Sequence, residues 1–297
     1  MDIKNELAAR AEAAEDVVCR FLPDDEGYQK TIFKAMHYSV MAGGKRLRPI
    51  LLYETYRLFG GEGDVVEPFM AAIEMIHTYS LVHDDLPAMD NDDLRRGKAT
   101  THKEFGEAIG ILAGDALLNY AFETALNAYD ADADVVNVTN AMRILARKAG
   151  VFGMIGGQVV DVESEKKQQE IDEKKLRFIY DLKTGALIEA AMTIGATLAG
   201  ASEKDIGTIE DVASKVGLAF QIQDDILDIE GDEATIGKPV GSDEKNNKST
   251  YVTFAGLKKS KEEVKRLTDE AINELRSLSV HNEFLEELIN YLVYRDN

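Results

Sequence analysis

Apolar residues recur at three- and four-residue spacing along most of this 297-residue chain, and that spacing is typical of amphipathic α-helices. The stretches with this pattern are Ile3–Phe21, Gln29–Met41, Pro49–Phe59, Pro68–Asp84, Ile109–Asn127, Asn137–Ala149, Val151–Glu163, Lys174–Ala199, Lys204–Ile229 and Lys261–Leu278. Alternating, strand-like runs are scarce, and Val159–Val162 is too short to compete. No connecting segment is long enough to separate domains, although the polar stretch Gly231–Ser249 is predicted to be a longer loop. The sequence therefore predicts one all-α domain over residues 1–297, a bundle of about ten helices.

Charge and cysteine content limit the possible functions. The net charge of −20 argues against binding nucleic acid, whose phosphates need a basic surface. Cys19 is the only cysteine, which excludes an intrachain disulfide and a thiolate metal cluster. The first residues lack the apolar run of a secretory signal, and the Ala- and Gly-rich stretch Thr184–Ala201 predicts a buried helix rather than a membrane span. We expect a cytoplasmic protein.

Five aspartates crowd the segment His83–Gly97, which follows an apolar helix. Such a concentration of carboxylates is costly unless cations neutralise it, and hard oxygen ligands suit Mg²⁺. Asp84 and Asp90 are six positions apart and would lie on different faces of a regular helix. Pro87 ends the helix, so Asp90 can fold back toward Asp84. The alternatives are an acidic capping loop or a calcium loop; a calcium loop starting at Asp90 would lack the glycine and glutamate that it requires.

A second aspartate cluster lies in the sequence FQIQDDILD. Asp224 and Asp228 are four positions apart, so both project from one face of a helix and are spaced to share metal ions. Taken alone, this pattern also fits a solvated helix face. The apolar residues Ile222, Ile226 and Ile229 predict that the helix packs against a core, which disfavours that alternative.

Basic residues gather at three places in this acidic chain. Gly43–Pro49 reads GGKRLRP and precedes a helix, Arg95 and Arg96 follow the first aspartates, and Lys238 and Lys248 flank the predicted loop. Paired glycines permit close backbone approach, and guanidinium groups match phosphate oxygens. A GGKR turn alone is more often a surface loop, but beside paired aspartate clusters it predicts a second, metal-free diphosphate pocket.

Three further motifs have structural interpretations. The pair Glu74 and His77 has the spacing used in di-iron bundles, but such a site needs a second copy that this sequence lacks. His83 is interpreted as a structural residue at a helix end. The stretch Gly156–Gln158, with Asp161, fits close helix packing and a cavity-lining role equally well.

The motifs GGKRLRP, HTYSLVHDDLPAMDNDDLRRGK, GGQ, KTG, FQIQDDILD and GKPVGSD…NKST resemble, in the same order, those of the trans-isoprenyl diphosphate synthases. Within that family the sequence is most similar to bacterial farnesyl diphosphate synthases. The resemblance runs from about Ala42 to Tyr251. It implies the isoprenoid synthase fold, in which helices surround a central active-site cavity, and it implies a homodimer.

The resemblance also implies roles for individual residues. Mg²⁺ would be bound by Asp84, Asp90, Asp224 and Asp228, with Asp228 acting through water. About three ions would bind an allylic diphosphate, together with Arg95, Lys183, Lys238 and Lys248. Isopentenyl diphosphate would be held without metal by Lys45, Arg48, His77 and Arg96. Thr184 and Gln221 would line the reacting carbons.

The implied reaction condenses dimethylallyl or geranyl diphosphate with isopentenyl diphosphate and releases diphosphate. In the family, side chains just before the first aspartate limit product length, and here these are Tyr79 and Ser80. The aromatic Tyr79 predicts farnesyl diphosphate (C15), with geranylgeranyl diphosphate (C20) as the alternative. A non-catalytic regulatory subunit of a heteromeric synthase would lack aspartates of one cluster, and a terpene cyclase would lack the second diphosphate pocket.

Overall fold

A computed structural model describes residues 2–167, 172–230 and 250–294. The regular secondary structure of these residues is helical apart from one two-stranded hairpin, which confirms the predicted all-α class. The chain divides into two compact units. The first contains Met1–Tyr53 and Glu62–Met142, and the second contains Glu54–Gly61 and Arg143–Asn297.

The first unit is built around one buried helix, α4. Its elements are α1 (Ile3–Phe21), α2 (Lys30–Val40), the start of α3 (Leu47–Leu58), α4 (Glu67–Asp84), β1 (Leu94–Arg95), β2 (Lys98–Ala99), α5 (Thr101–Phe105), α6 (Glu107–Leu126), a 3-10 turn (Asn127–Asp130) and the start of α7 (Val135–Ala149). Most residues of α4 are buried, and the helix packs along α6. Gly114 of α6 faces the ring of His83 so closely that a Cβ atom at this position would have to displace the ring.

The second unit is built around the longest helix, α11. Its elements after α7 are α8 (Met154–Lys167), α9 (Glu173–Ile179), a π-helical turn (Tyr180–Gly185), α10 (Ala186–Leu198), α11 (Glu203–Glu230), α12 (Tyr251–Ala255), α13 (Leu257–Arg276) and α14 (Glu283–Tyr294). α11 packs against α10 and α13. Nearly all of α10 is buried, as predicted for Thr184–Ala201, and no helix in the described part of the chain is both long enough and apolar enough to span a bilayer.

The structure departs from the predicted helices at identifiable places. The predicted single helix Lys174–Ala199 is interrupted by the π-helical turn, where Gly217 of α11 packs against Gly185; a Cβ on Gly217 would lie 2.9 Å from the Gly185 Cα. Helices α5, α12 and α14 were not predicted, and the hairpin of β1 and β2 lies between the predicted helices Pro68–Asp84 and Ile109–Asn127. The predicted loop Gly231–Ser249 lies outside the described residues.

Candidate active site

The first aspartate cluster begins at Asp84, the last residue of α4. The proline at position 87 cannot continue the helix, and the chain turns back on itself. The backbone amide of Asp90 donates to the carbonyl of Asp84 at 2.9 Å, and the amide of Asn91 donates to the carbonyl of Leu86 at 3.1 Å. This confirms the predicted return of Asp90 toward Asp84.

Asp85, the second member of the pair, is buried and bonded to a cation. Its Oδ1 atom accepts a hydrogen bond from Nε of Arg95 at 2.7 Å and lies 2.6 Å from Nη2 of the same residue in an ion pair. Burial raises the pKa of Asp85, while the hydrogen bond and charge of Arg95 act in the opposite direction. Asp85 therefore holds Arg95, which was predicted to bind the allylic diphosphate, beside the first cluster.

The hairpin that follows meets the basic turn Gly43–Pro49. Arg96 and Gly97 occupy its turn with φ values of 53° and 77°, as a type I′ turn requires. Nη1 of Arg96 donates to the carbonyl of Gly43, and a Cβ on Gly44 would lie 2.6 Å from the same nitrogen. The basic turn and the hairpin, which were predicted to contribute to one pocket, are thus in contact through Gly43 and Arg96. Lys45 is exposed on the same turn as Gly43.

Two further members of the predicted metal-free pocket, Arg48 and His77, carry shifted pKa values. Nε of Arg48 is buried and has no hydrogen-bond partner within the described ranges, and burial lowers the pKa of Arg48 to about 10. The pKa of His77 lies well below its ordinary value, first because of burial. The further causes are the charges of Arg48, Arg96, Arg95 and Arg46. A neutral imidazole among guanidinium groups is an environment suited to an anion.

Arg46, the middle one of the three basic residues in the GGKRLRP motif, has a structural role. Its guanidinium is buried, donating to Glu74 at 2.7 Å, to Glu15 at 2.7 Å and to the carbonyl of Val40 at 2.6 Å. This ion pair also accounts for Glu74, the glutamate that precedes His77 by three positions. No pattern in the sequence separates Arg46 from its basic neighbours Lys45 and Arg48.

Tyr79 and Ser80, the predicted determinants of product length, lie on α4. Tyr79 is 5% exposed, and its ring contacts the ring of His83 edge-to-face with centroids 5.8 Å apart. Its hydroxyl is buried without a hydrogen-bond partner in the described part of the chain, and burial raises the pKa of Tyr79 to about 12. Ser80 donates to the carbonyl of His77 at 2.8 Å. The side chain of Tyr79 is therefore held by the packing of its ring rather than by a hydrogen bond.

The second aspartate cluster lies near the end of α11, on an uninterrupted helix as predicted. Asp224 and Asp228 are half-buried on one face of the helix, which is the predicted arrangement. Ile222 and Ile226 pack in the core, but Ile229 is 49% exposed because the helix leaves the core at its last turn. The interpretation that all three isoleucines face the core is wrong for Ile229.

The π-helical turn carries Lys183 and Thr184 and brings each to a polar partner. Nζ of Lys183 donates to Oδ2 of Asp161 at 2.5 Å, and Oγ1 of Thr184 donates to Oε1 of Gln221 at 2.8 Å. A Cβ on Gly157 would lie 2.3 Å from the Lys183 backbone nitrogen, so this glycine provides close packing. For Asp161, close helix packing and a cavity-lining role were equally good interpretations of the sequence. In the structure it contacts Lys183, which is predicted to bind substrate.

The carboxylate clusters fit Mg²⁺ better than a metal held by protein alone. Among residues 2–167, 172–230 and 250–294, no three His, Cys, Asp or Glu side chains gather into a metal site. Mg²⁺ is usually bound through one or two carboxylates and substrate phosphates, so Asp84 with Asp90, and Asp224 with Asp228, are suitable ligand sets. Lys238 and Lys248 lie outside the described residues.

A helical fold with two aspartate clusters suited to Mg²⁺ and an arginine-rich pocket is typical of proteins that act on diphosphates. The sequence profile of the family described as Polyprenyl synthetase matches residues 29–290, and the chain belongs to this family. This membership confirms the resemblance found in the sequence.

Individual relatives match over nearly their full length. A farnesyl diphosphate synthase of Geobacillus stearothermophilus is 44% identical over 100% of this chain and 99% of the relative. A geranylgeranyl diphosphate synthase of Cyanophora paradoxa is 43% identical over 98% of this chain and 96% of its own. The solved structure of a geranyltransferase from Helicobacter pylori, complexed with magnesium and isoprenyl diphosphate, is similar with a TM-score of 0.83, at 31% identity over 99% of this chain and 97% of that one.

Proposed function

We propose that this protein is a short-chain trans-prenyltransferase that condenses dimethylallyl or geranyl diphosphate with isopentenyl diphosphate, releases diphosphate and makes chiefly farnesyl diphosphate. The observation that carries the proposal is the gathering of guanidinium groups around His77 in a chain whose net charge is −20. Positive groups concentrated against the overall charge are expected where a polyanionic substrate binds. The family membership and the named relatives support the same reaction.

The metal-binding residues of the proposal are the outer members of the two clusters: Asp84, Asp90, Asp224 and Asp228. When bound, about three Mg²⁺ ions would neutralise the charge that builds on the departing diphosphate. The carboxylates of the chain would hold these ions, which would supply positive charge for the diphosphate end of the allylic substrate. The number of ions is proposed from the resemblance to the trans-isoprenyl diphosphate synthases.

Cationic side chains bind the two substrates separately. Isopentenyl diphosphate is held by Lys45, Arg48, His77 and Arg96, while Arg95 and Lys183 act on the allylic diphosphate, with Lys238 and Lys248 as further candidates. The buried Nε of Arg48 supports this assignment, because an unpaired buried donor is costly unless a ligand oxygen accepts from it. Asp161 orients Lys183.

The remaining residues act on the reacting carbons. Thr184 and Gln221, which are hydrogen-bonded to each other, present oxygen atoms that stabilise positive charge on the allylic carbons after the C–O bond breaks. Holding the isopentenyl double bond close to that cation supplies much of the rate. The departing diphosphate accepts the final proton, so the reaction needs no protein base. Water must be excluded, because it would convert the cation to an alcohol.

The test is incubation of the purified protein with MgCl2, radiolabelled isopentenyl diphosphate and either dimethylallyl or geranyl diphosphate. Products are hydrolysed and sized by chromatography. We expect a fifteen-carbon alcohol as the main product, and a twenty-carbon product would favour the geranylgeranyl alternative. Absence of any condensation product with either allylic substrate would refute the proposal.

Product length provides a sharper test at Tyr79. Growth of the product along α4 toward its earlier turns would bring the chain against this ring, and overpacking costs about 1–3 kcal/mol or more. Tyr79→Ala should therefore shift products to twenty carbons or longer, while the first condensation is largely preserved. If Tyr79 only packs the core, the same change should cost roughly 3–5 kcal/mol of stability and leave product length unchanged.

Tyr79→Phe is the matched control. It keeps the ring and removes a hydroxyl that has no partner among the described residues, so it should keep the fifteen-carbon product and melt at an equal or higher temperature. Product distribution and melting temperature are measured together for both variants. A folded Tyr79→Ala enzyme that still stops at fifteen carbons would contradict the role of Tyr79.

We also propose a homodimer located in the cytoplasm. Helix α6 leaves the apolar side chains of Ile111, Leu112 and Leu126 exposed, and a second copy of the chain would cover them. Analytical ultracentrifugation should find a dimer that Leu112→Asp converts to monomer; a monomeric wild-type protein would contradict the proposal. The single polyprenyl synthase domain over residues 1–297 stays a prediction, supported by a family match that includes residues of both units.

A further inference from the structure

One buried carboxylate connects three elements of the second unit. Oδ2 of Asp225, on α11, accepts a hydrogen bond from the hydroxyl of Tyr180 at 2.6 Å and one from the backbone amide of Tyr251 at 2.9 Å. The Tyr251 amide also lies 3.3 Å from the Tyr180 hydroxyl. Tyr180 is the first residue of the π-helical turn, and Tyr251 is the first residue of α12.

These groups lie in the core of the unit rather than at its surface. Asp225 is 4% exposed and Tyr180 is 7% exposed, and Ile222, Ile226 and Val252 belong to the surrounding apolar cluster. A buried carboxylate whose hydrogen bonds are lost is strongly penalised, because water does not replace the missing donors. The arrangement therefore tolerates little movement of the three elements.

Both ends of this network adjoin residues of the proposed active site. Asp225 is the next residue in the chain after Asp224, a proposed Mg²⁺ ligand. Tyr180 begins the same turn that carries Lys183, paired with Asp161, and Thr184. Fixing Asp225 and Tyr180 to one another thus fixes the position of the second cluster relative to the lysine that acts on the same substrate.

We propose that Asp225 and Tyr180 are positioning residues for the allylic site: they contact neither metal nor substrate, but hold Asp224 and the π-helical turn in the geometry that binds the Mg²⁺–diphosphate complex. This inference rests on the proposed function. It assigns different roles to two adjacent residues: Asp224 is a metal ligand, and Asp225 is a positioning residue. Residues that orient metal ligands typically affect metal affinity or activity when they are changed.

The central experiment is Tyr180→Phe, which keeps the aromatic ring in the core and removes one hydroxyl. We expect weaker binding of inorganic pyrophosphate with MgCl2 by calorimetry, and a higher KM for geranyl diphosphate, on the order of 10- to 100-fold. The KM for isopentenyl diphosphate should stay unchanged. In the metal-free protein, the Tyr251 amide should exchange its hydrogen faster by NMR, because one of the groups that orders it is lost.

Matched controls separate positioning from general loss of stability. Tyr129→Phe removes a tyrosine hydroxyl that bonds to Thr139 in the first unit, and Thr268→Val removes a buried hydroxyl of α13 in the second. Both should keep the pyrophosphate affinity and both KM values of the wild type. If Thr268→Val weakened pyrophosphate binding as much as Tyr180→Phe at equal melting temperature, the specific role of Tyr180 would be refuted.

Asp225 variants supply the second line of the test. Asp225→Asn keeps an oxygen that can accept from Tyr180 and Tyr251, so it should retain more pyrophosphate affinity than Asp225→Ala, which leaves both donors unpaired. Equal affinity in Asp225→Ala and wild type would overturn the inference. A wild-type protein without transferase activity would instead refute the proposed function, and an active wild type matched in every measurement by Tyr180→Phe would refute the positioning role alone.

Discussion

The two aspartate clusters begin with the same Asp-Asp pair but lie in different local structures. In the first unit, α4 ends at Asp84 and the chain folds back, so that backbone hydrogen bonds return Asp90 to the end of the helix. In the second unit, α11 continues through the cluster, and the spacing of Asp224 and Asp228 alone places both on one face. Two carboxylates are thus brought together once by a turn and once by helical periodicity.

The buried member of each pair shows a further difference. Successive side chains on a helix point about 100° apart, so one aspartate can face outward while its neighbour faces the core. Asp85 is bonded to a cation, Arg95, whereas Asp225 is bonded to a neutral hydroxyl and a backbone amide. The partner of Asp85 is therefore a residue proposed to bind substrate. The partners of Asp225, in contrast, are not proposed to touch the substrate.

The strongest test of the comparison asks whether both clusters are required. Asp84→Ala and Asp224→Ala should each lower turnover roughly 10²- to 10³-fold or more, because each removes a carboxylate that we propose to hold a metal at the leaving group. Excess chelator should abolish activity of the wild type. Steady-state assays over a range of MgCl2 concentrations measure both effects.

Asp93→Ala is the control for this test. Asp93 belongs to the same acidic segment, but it is exposed and paired with Lys103 at 2.7 Å, and it is not a proposed ligand. Its replacement should leave turnover within about twofold of the wild type, as surface changes usually do. Full activity in excess chelator would refute the requirement for Mg²⁺, and full activity of either ligand variant would show that the two clusters are not both required.

Sequence patterns could predict what depends on local chemistry. The return of Asp90 follows from Pro87, and the shared face of Asp224 and Asp228 follows from a four-residue spacing; both were predicted correctly. Short helices such as α5 and α12 span five residues each, too few to show a helical periodicity. Helix α14 spans 12 residues and has an apolar pattern from which it could have been predicted.

Contacts between distant segments were not predictable in the same way. The bond of Asp225 to Tyr180 joins residues 45 positions apart, and the ion pair of Lys183 with Asp161 joins residues 22 apart. At the π-helical turn, Gly185 packs closely against Gly217 of another helix, a contact that no local pattern indicates. No local pattern indicates which aspartate of a pair is buried, because burial depends on the helices that pack against it.

A second test separates the cations of the two units. Arg48 has a buried donor without a partner in the described ranges, whereas Lys183 is paired with Asp161. Arg48→Ala should raise the KM for isopentenyl diphosphate on the order of 10- to 100-fold, the value of one or two charged hydrogen bonds, with little effect on the allylic KM. Lys183→Ala should instead affect the KM for geranyl diphosphate or turnover.

The controls are Arg266→Ala and Lys265→Ala, which remove surface cations of α13 that pair with acids of the same helix. Both should leave the two KM values within about twofold of the wild type. If Arg48→Ala changed only the allylic KM, the assignment of the metal-free pocket to the first unit would be wrong.

The smallest expected effect concerns the metal-free pocket itself. Burial and the surrounding guanidinium charges lower the pKa of His77 well below its ordinary value, so below about pH 6.5 the unfolded chain binds a proton that the folded chain does not. The free energy of unfolding should therefore fall as the pH decreases from about 6.5 toward the folded-state pKa, by about 1.4 kcal/mol for each unit of pKa difference, and should not depend on His77 at higher pH. In His77→Gln this contribution should vanish, which chemical denaturation at several pH values will measure.

An anion bound beside Arg48 and Arg96 would offset the charges that lower the pKa of His77. Titration of the His77 imidazole by NMR in excess chelator should therefore show a higher pKa with inorganic pyrophosphate than without it, because the anion stabilises the imidazolium. The chelator keeps the experiment specific to the metal-free pocket, since the aspartate clusters need Mg²⁺ to bind the same anion. A His77 pKa at its ordinary value without pyrophosphate would contradict the electrostatic description of the pocket. A depressed pKa that pyrophosphate leaves unchanged would show that the metal-free diphosphate site does not lie beside His77. The proposed difference in substrate between the cations of the first unit and Lys183 of the second would then be wrong.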